Sequence, residues 1–378
     1  MSQTSGNKMI DSNVAVKPSS TNNKLAKIAC NVHKFGGSSL ATSACIERVV
    51  DIIRQHCQIN DIIVVSANGS TTDALFNIYE RAIALKEANL LNTEHKSISN
   101  ELVTLKESLF EALSDLNAMQ TSLINELLNP TSAARLNNLL TDEIATSAKH
   151  LQDDPQRYQN DLLAFGEIWS ARLLSAVLSE SVCPSYMLDA RDFLLINNEK
   201  NSTIDYSTSQ VAFSELKQPN QLVIVTGYIA RNKEQQTCTL GRNGSDYSAT
   251  IMAALSQARN VTLWTDVDGI YSADPRVVPS ARKLHRLPNA VANELGRLGN
   301  PVLHAKTLKP LTNHNTHLHV ASSFAPDISG TEIGKFGQIA KQELSVTSLN
   351  DLILAKSSSF LAKSGALAVS EFSPICYN

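Results

Sequence analysis

The chain has 378 residues, 43% of them hydrophobic and 18% charged, with 33 Lys and Arg against 36 Asp and Glu for a net charge of −3. That length can bury a large core and fits one big α/β domain with extras, or two domains. The near balance of charge removes any electrostatic case for nucleic acid or an anionic membrane, and no run approaches the roughly 18 apolar residues of a membrane span.

Residues 1–27 are rich in Ser, Asn, Thr and Lys and poor in large apolar groups. Such a segment buries too little surface to offset its ordering entropy, so it reads as a disordered tail. The first 25 residues contain no Arg, which gives a transit peptide little support. The six cysteines, Cys30, Cys45, Cys57, Cys183, Cys238 and Cys376, form no Cys-x-x-Cys pair. They read as reduced core thiols, and with no secretory signal the expected compartment is the cytoplasm.

Ile28, Ala29 and Val32 read as a first strand and Leu40 to Arg54 as a helix. Between them lies Lys34-Phe35-Gly36-Gly37-Ser38-Ser39. Paired glycines let backbone N–H groups approach an anion closely, and a helix N-terminus adds partial positive charge. Lys34 can place a full charge beside a transferring phosphoryl group. The same six residues also read as a tight turn capped by Ser38 or Ser39, and alone they do not decide.

Asp61 to Ala67 carries four consecutive branched apolar residues and reads as a strand buried on both faces. It runs into Asn68 to Asp73, where α/β folds place ligands. Ser66 and Thr72 are candidate ligand hydroxyls there, or cap and turn residues. Residues 74–160 read as a helical insertion in which Pro130 starts a new helix. Asp161 to Glu180 reads as an amphipathic helix on Leu162, Phe165, Trp169, Leu173, Ala176 and Val177. Glu167 sits beside that face next to Gly166, as a functional carboxylate or a solvated one.

Val182 to Leu188 and Leu222 to Thr226 read as strands, and Thr237 to Leu240 as a short strand entering a second glycine-bearing loop, Gly241 to Ser248. A helix from Ala249 to Gln257 follows, so this loop is a second candidate anion site. Arg242 can clasp a carboxylate or phosphate with two parallel bonds, and Asp246 can orient a cation. An ordinary cap with a surface arginine is the competing reading. Val261 to Thr265 reads as a strand, followed by a turn-rich stretch in which Tyr271 and Arg276 suit a purine and its phosphates. Pro288 to Lys309 reads as mostly helical, interrupted at Pro301 and stopped by Pro310. His317 to Phe324 reads as the last strand of the sheet.

Three segments together resemble aspartokinase, a member of the amino-acid kinase superfamily. They are His33 to Ser39, Gly241-Arg242-Asn243-Gly244-Ser245-Asp246, and Trp264 to Arg276 with its Asp266-Val267-Asp268-Gly269 core. Val302-Leu303-His304 and Thr307-Leu308 also fit, and the likeness covers residues 28–333 in order. Asn243 resembles the kinase half of bifunctional aspartokinase/homoserine dehydrogenases, and Pro301 to His304 their methionine-associated subtype.

The resemblance implies an α/β fold, a three-layer αβα sandwich around a mainly parallel sheet of about eight strands. It implies transfer of the ATP γ-phosphoryl group to the β-carboxylate of L-aspartate, the first step toward lysine, threonine and methionine. Lys34 and Asp246 would be catalytic. Gly36, Gly37 and Ser38 would cradle phosphate with Lys34. Ser39, Ser66, Thr72, Glu167, Arg242, Gly244 and Ser245 would bind aspartate, with Arg242 on a carboxylate and Glu167 on the ammonium. Thr265, Asp266, Tyr271 and Arg276 would bind ATP, and Mg²⁺ would arrive with the nucleotide rather than in a protein cage. Aspartate and ATP are thus the expected partners, with no nucleic acid and no membrane; a homo-oligomer stays open.

Three departures qualify the likeness. Pro301 stands where many aspartokinases have a nucleotide-contacting Lys. Residues 334–378 read as a truncated remnant of an ACT-type regulatory region, so amino-acid feedback is expected to be absent. No Gly-x-Gly-x-x-Gly fingerprint is present, so homoserine dehydrogenase activity is not expected. Two other readings compete: a sister kinase acting on glutamate, N-acetylglutamate or a nucleotide, and a weakly active binding or regulatory subunit.

Overall fold

Ile62, Ile63, Val64 and Val65 are buried without exception, and their side chains alternate between two separate apolar clusters. A strand with both faces covered is the centre of a layered α/β fold. The structure, a computed structural model, describes residues 30–94, 99–198, 203–298, 300 and 302–336. The expected N-terminal tail, Pro301 and nearly all of the expected regulatory remnant lie outside these residues.

In chain order the strands are β1 (Val32–Phe35), β2 (Ile62–Val65), β3 (Ser185–Leu188), β4 (Ile196–Asn198), β5 (Thr203–Ile204), β6 (Leu222–Thr226) and β7 (Ile229–Arg231). They continue with β8 (Thr237–Thr239), β9 (Asn260–Thr265), β10 (Ile270–Tyr271), β11 (Lys283–Leu284), β12 (Arg286–Pro288), β13 (His317–Ser322) and β14 (Thr331–Gly334). The helices are α1 (Ser43–His56), α2 (Thr71–Glu94), α3 (Ser99–Leu127), α4 (Pro130–Asp153) and α5 (Pro155–Ser181). After them come α6 (Tyr206–Leu216), α7 (Gly244–Ser256), α8 (Asn289–Arg297) and the single turn α9 (Ala305–Leu308).

Eight strands form one sheet in the order β12-β14-β13-β9-β1-β2-β6-β3. All neighbours run parallel except β13 and β14. Lys34 lies opposite Val64 on β2 and Leu263 on β9, so it is held at the middle of the sheet. One core cluster joins Val32, Ile62, Val64, Val223 and Val225 to α7 and its neighbours. The other joins Phe35, Ile63, Val65 and Ile224 to α1, α2, α3, α4 and α5. The expected three-layer sandwich is therefore present.

Helix α4 is stapled to α5. Glu143 on α4 accepts from both terminal guanidinium nitrogens of Arg172 at 2.9 Å and from the Trp169 indole at 2.8 Å. Pro130 does begin a helix, with Asn129 accepting from the Thr131 and Ser132 N–H groups as its cap.

Several boundaries differ from the sequence reading. β1 begins at Val32, which puts Lys34 inside the strand. A one-turn 3₁₀ helix, Gly37–Leu40, precedes α1, whose cap is Thr42 and not Ser38 or Ser39. α7 starts at Gly244, so Ser245 and Asp246 lie in its first turn. His317 to Phe324 is not the last strand. The turn after it reverses the chain, so β14 pairs antiparallel with β13 and brings β12 alongside. Two- to four-residue strands carry too little pattern to be read singly. One helix, α5, is long and apolar enough to cross a membrane by length and composition, contrary to the sequence reading; most of it is buried inside this fold.

Candidate active site

The carboxyl ends of β9, β1, β2 and β6 lie side by side, and those of β9, β1 and β2 run directly into segments singled out in the sequence. Open parallel sheets bind ligands at such ends. Lys34, buried near the end of β1, meets Asp246 from the first turn of α7 with Nζ 2.6 Å from Oδ1. The two glycine-bearing segments, 212 positions apart in the chain, therefore converge on one ion pair. Neither side chain is more than 19% exposed, so the pair is only weakly screened by solvent.

The first turn is braced on both sides. The Gly36 N–H donates to the Trp264 carbonyl at 3.2 Å, and the Gly69 N–H to the Gly37 carbonyl at 3.0 Å. A Cβ at Gly37 would lie 3.0 Å from the Ala67 carbonyl oxygen, so any side chain there would crowd the loop after β2. Ser38 is exposed at the turn. Ser39 is buried, with its hydroxyl 2.7 Å from that of Ser323, which in turn donates to the Thr265 carbonyl at 3.2 Å. Ser39 thus links the turn to the end of β9 and does not point outward.

Ser66 and Thr72 flank the loop after β2, both half-buried, with Thr72 in the first turn of α2. Glu167, on α5, is buried behind this loop. Its Oε1 accepts from the Ala67 N–H at 3.3 Å, while Oε2 is buried with no hydrogen-bond partner among the described residues. Burial pushes its carboxyl up to about 8, against smaller lowering effects that include the charge of Lys34. A Cβ at Gly166 would lie 2.8 Å from the Ala67 Cβ, so glycine lets α5 press against the loop. The burial shows that Glu167 is not a solvated helix glutamate.

On the second loop Arg242 is exposed and forms no ion pair among the described residues. Asn243 turns the chain in the left-handed region at φ 56°. Gly244 and Ser245 are buried at the start of α7, and Ser245 sits against Gly227 at the end of β6.

On the far side Thr265 donates to Asp266 at 3.1 Å just past β9. Tyr271, on the small β10–β11 hairpin, donates to Asp268, which also accepts from Lys283 at 3.0 Å. Arg276 is exposed and pairs with Asp274 at 2.9 Å. These four residues continue outward from the Lys34 side of the sheet but form no bonded contact with Lys34 or Asp246 among the described residues.

Two contributors escaped the sequence reading as site residues. Gly227 follows β6, and a Cβ there would lie 2.7 Å from the Val65 carbonyl and 2.8 Å from the Ser245 Cβ. A glycine directly after a buried strand was its signal. Lys306 reaches from α9 to donate to the Leu240 carbonyl at 2.9 Å, with Nζ 4.9 Å from the Tyr247 ring centre. It ties down the entry to the second loop, and nothing in its local sequence distinguishes it.

The chain matches the Amino acid kinase family over residues 29–322. It is 37% identical over 326 residues to bifunctional aspartokinase/homoserine dehydrogenase 2 of Escherichia coli K12, an alignment covering 85% of this chain and 38% of that protein. Lysine-sensitive aspartokinase 3 of the same organism is 32% identical, with 71% of this chain and 63% of that protein covered. The chain thus spans less than two thirds of the length of these relatives. The crystal structure of E. coli aspartokinase III in complex with aspartate and ADP superposes with a TM-score of 0.67 at 27% identity, covering 82% of this chain and 65% of that one. With the sheet order, the match over most of its length and the kinase relatives all in agreement, this chain belongs to the amino acid kinase family.

Proposed function

We propose that this chain is an aspartate kinase, transferring the γ-phosphoryl group of ATP to the β-carboxylate of L-aspartate to give 4-phospho-L-aspartate. The observation that carries the reading is the Lys34–Asp246 pair at the shared end of four strands. The same reading takes residues 28–333 as the catalytic domain, with 74–160 an insertion within it. The relatives' names and the aspartate and ADP in the aspartokinase III structure support the substrate pair. The product enters amino-acid biosynthesis toward lysine, threonine and methionine. The thiols Cys30, Cys45, Cys57 and Cys183 are free, which suits the reducing cytoplasm.

A carboxylate is already a nucleophile, so catalysis reduces to positioning and charge neutralisation. In this reading Lys34 stabilises negative charge on the phosphoryl in flight, and Asp246 fixes the direction of its ammonium. The N–H groups of Gly37 and Ser38 face the phosphates. Arg242, free of ion pairs among the described residues, takes a substrate carboxylate. Glu167 offers its unpartnered oxygen to the substrate ammonium, and Ser66, Thr72, Gly244 and Ser245 line the same end of the sheet. Ser39 serves by holding the turn. Thr265, Asp266, Tyr271 and Arg276 hold the nucleotide. Among the described residues no group of three or more His, Cys, Asp or Glu could hold a metal ion. One carboxylate engaged by Lys34 fits a Mg²⁺ that arrives on the nucleotide with most of its own ligands. When bound, that ion supplies charge neutralisation at the phosphates.

The test is ATP- and Mg²⁺-dependent formation of aspartyl hydroxamate by the purified chain, with glutamate and N-acetylglutamate as rival acceptors. Turnover with aspartate alone is the expected result. Turnover with another acceptor and none with aspartate would overturn the assignment.

A further inference from the structure

The inward stripe of α3 is apolar at Leu109, Leu113, Leu116, Leu123 and Ile124, all buried, and at Gln120 it is not. Gln120 falls at the helical spacing of that stripe and is 2% exposed. Packing alone places leucine there, because a buried amide is costly unless its hydrogen bonds are made. Its Nε2 donates to the Thr71 hydroxyl at 2.8 Å. That hydroxyl donates to the Asn68 carbonyl at 2.6 Å, and the Asn68 amide donates to the Leu40 carbonyl at 3.1 Å. The next residue, Gly69, closes the link by donating from its N–H to the Gly37 carbonyl. Thr71, Asn68 and Leu40 are all buried.

We infer that Gln120 is a positioning residue, through which the helical insertion sets the spacing between the loop after β2 and the glycine turn after β1. This rests on the aspartate kinase reading, in which the first loop holds the amino acid and the second the phosphates. The chain of bonds runs in one direction. The Thr71 oxygen gives its only proton to Asn68, so toward Gln120 it can only accept, and the Gln120 amide is its donor. Without that donor the hydroxyl keeps its bond to Asn68 but is no longer anchored to α3, and the loop carrying Ser66 and Thr72 loses its index against Gly36 to Leu40. Phosphoryl transfer to a carboxylate is sensitive to that spacing because reacting atoms must be held in near-attack geometry. The insertion thus acts on the site without touching a substrate.

The experiment compares Gln120→Met, which keeps side-chain length and loses the amide, with Thr71→Val and Thr71→Ser. Hydrogen exchange is followed at the Ser39, Gly69 and Thr71 amides, and kcat and both KM values are measured well below each variant's melting temperature. Gln120→Met and Thr71→Val are expected to speed exchange at those amides by about tenfold, leave β6 amides unchanged, and lower kcat by about tenfold with smaller changes in KM. Thr71→Ser retains the hydroxyl and is expected to keep most of the activity. The double variant is expected to be no worse than the poorer single, since both cut one chain. Unchanged exchange, or faster exchange with wild-type kcat, overturns the inference. A merely structural role lowers the melting temperature and leaves kcat of the folded enzyme intact. If the wild type phosphorylates no aspartate, the functional reading fails, and the exchange data still decide the loop coupling. If Gln120→Met does not fold, the Thr71 pair tests the same bond from its other end.

Discussion

The candidate site has two unlike halves. Lys34, Glu167 and Ser245 are buried, although Ser38 and Arg242 at the rim are exposed, and the loops are cross-bonded to one another and to neighbouring strands. Around Tyr271 and Arg276 the chain is a short hairpin and an open turn, and the Arg276 side chain is 85% exposed. Charges in the first half act at low local dielectric and in fixed directions, so they can lower a barrier. Charges in the second lie nearer solvent and are more strongly screened, and an exposed ion pair there contributes little. The first half is therefore expected to govern turnover and the second to govern nucleotide affinity.

The largest break in that contrast is Lys34→Ala. It is expected to lower kcat by about a thousandfold or more, the scale seen when a directed charge is removed from a transition state. It also leaves Asp246 without its cation, so circular dichroism must accompany the hydroxamate assay. Wild-type turnover in a folded Lys34→Ala protein would end the assignment of this half as catalytic.

Glu167→Gln sharpens the same half. It is expected to raise KM for aspartate by about a hundredfold, the loss of a hydrogen-bonded charge in a buried site. The sign of its stability effect follows from its carboxyl, raised by burial to about 8 from 4.5. Between those values the unfolded chain has released the proton and the folded chain keeps it. Glu167 thus makes wild-type stability fall as pH climbs through that window. Gln does not titrate, so the variant should gain on wild type between pH 5 and pH 8.5, by melting temperature. In wild type, KM for aspartate should fall as pH rises toward 8, because the ammonium is met by the carboxylate form; Glu167→Gln should flatten that trend.

The fold and the central pair were legible because each rests on a strong local signal. Ile62 to Val65 and Leu222 to Thr226 are unbroken apolar runs, and Gly36-Gly37 and Gly241 to Gly244 bracket helix starts after strands. Their meeting could be expected only from the family resemblance. Periodicity places Lys34 and Asp246 on separate elements and says nothing of the distance between them. β12 and β14 were illegible because three or four residues do not establish an alternation, and their pairing depends on a reversal after β13. The Ser39–Ser323 contact joins residues 284 apart, and no spacing rule reaches that far. Gln120 did leave a trace, as a polar residue interrupting a leucine stripe, but only its Thr71 partner gives that interruption a meaning.

A smaller effect is expected from Gly227→Ala, which tests how rigid the buried half is. The new Cβ would press on the Val65 carbonyl and on Ser245, two parts that are themselves fixed by the sheet and by α7. Overpacking of this kind costs about 1–3 kcal/mol. Displacing Ser245 should also raise KM for aspartate several-fold while KM for ATP stays level. Equal rises in both would mean that the halves are not mechanically separate.

The smallest effect is expected at Arg276. Its guanidinium donates to Asp274 through two nitrogens, and that pairing holds the Asp274 carboxyl below its ordinary range. Both groups are on the surface, so the pair adds little to stability and Arg276→Ala should leave the melting temperature within about a degree. Released from Asp274, the wild-type guanidinium can turn to a phosphate, an exchange of one anion for another with modest net gain. Arg276→Ala should therefore raise KM for ATP about threefold at low salt, the order of one screened contact, with kcat unchanged. Raising ionic strength should shrink the difference, since screening weakens the wild-type contact and leaves the variant nothing to lose. A fall in kcat of a hundredfold at any salt would place Arg276 among groups that act on the transition state. The division between a buried catalytic half and an exposed binding half would then have to be abandoned.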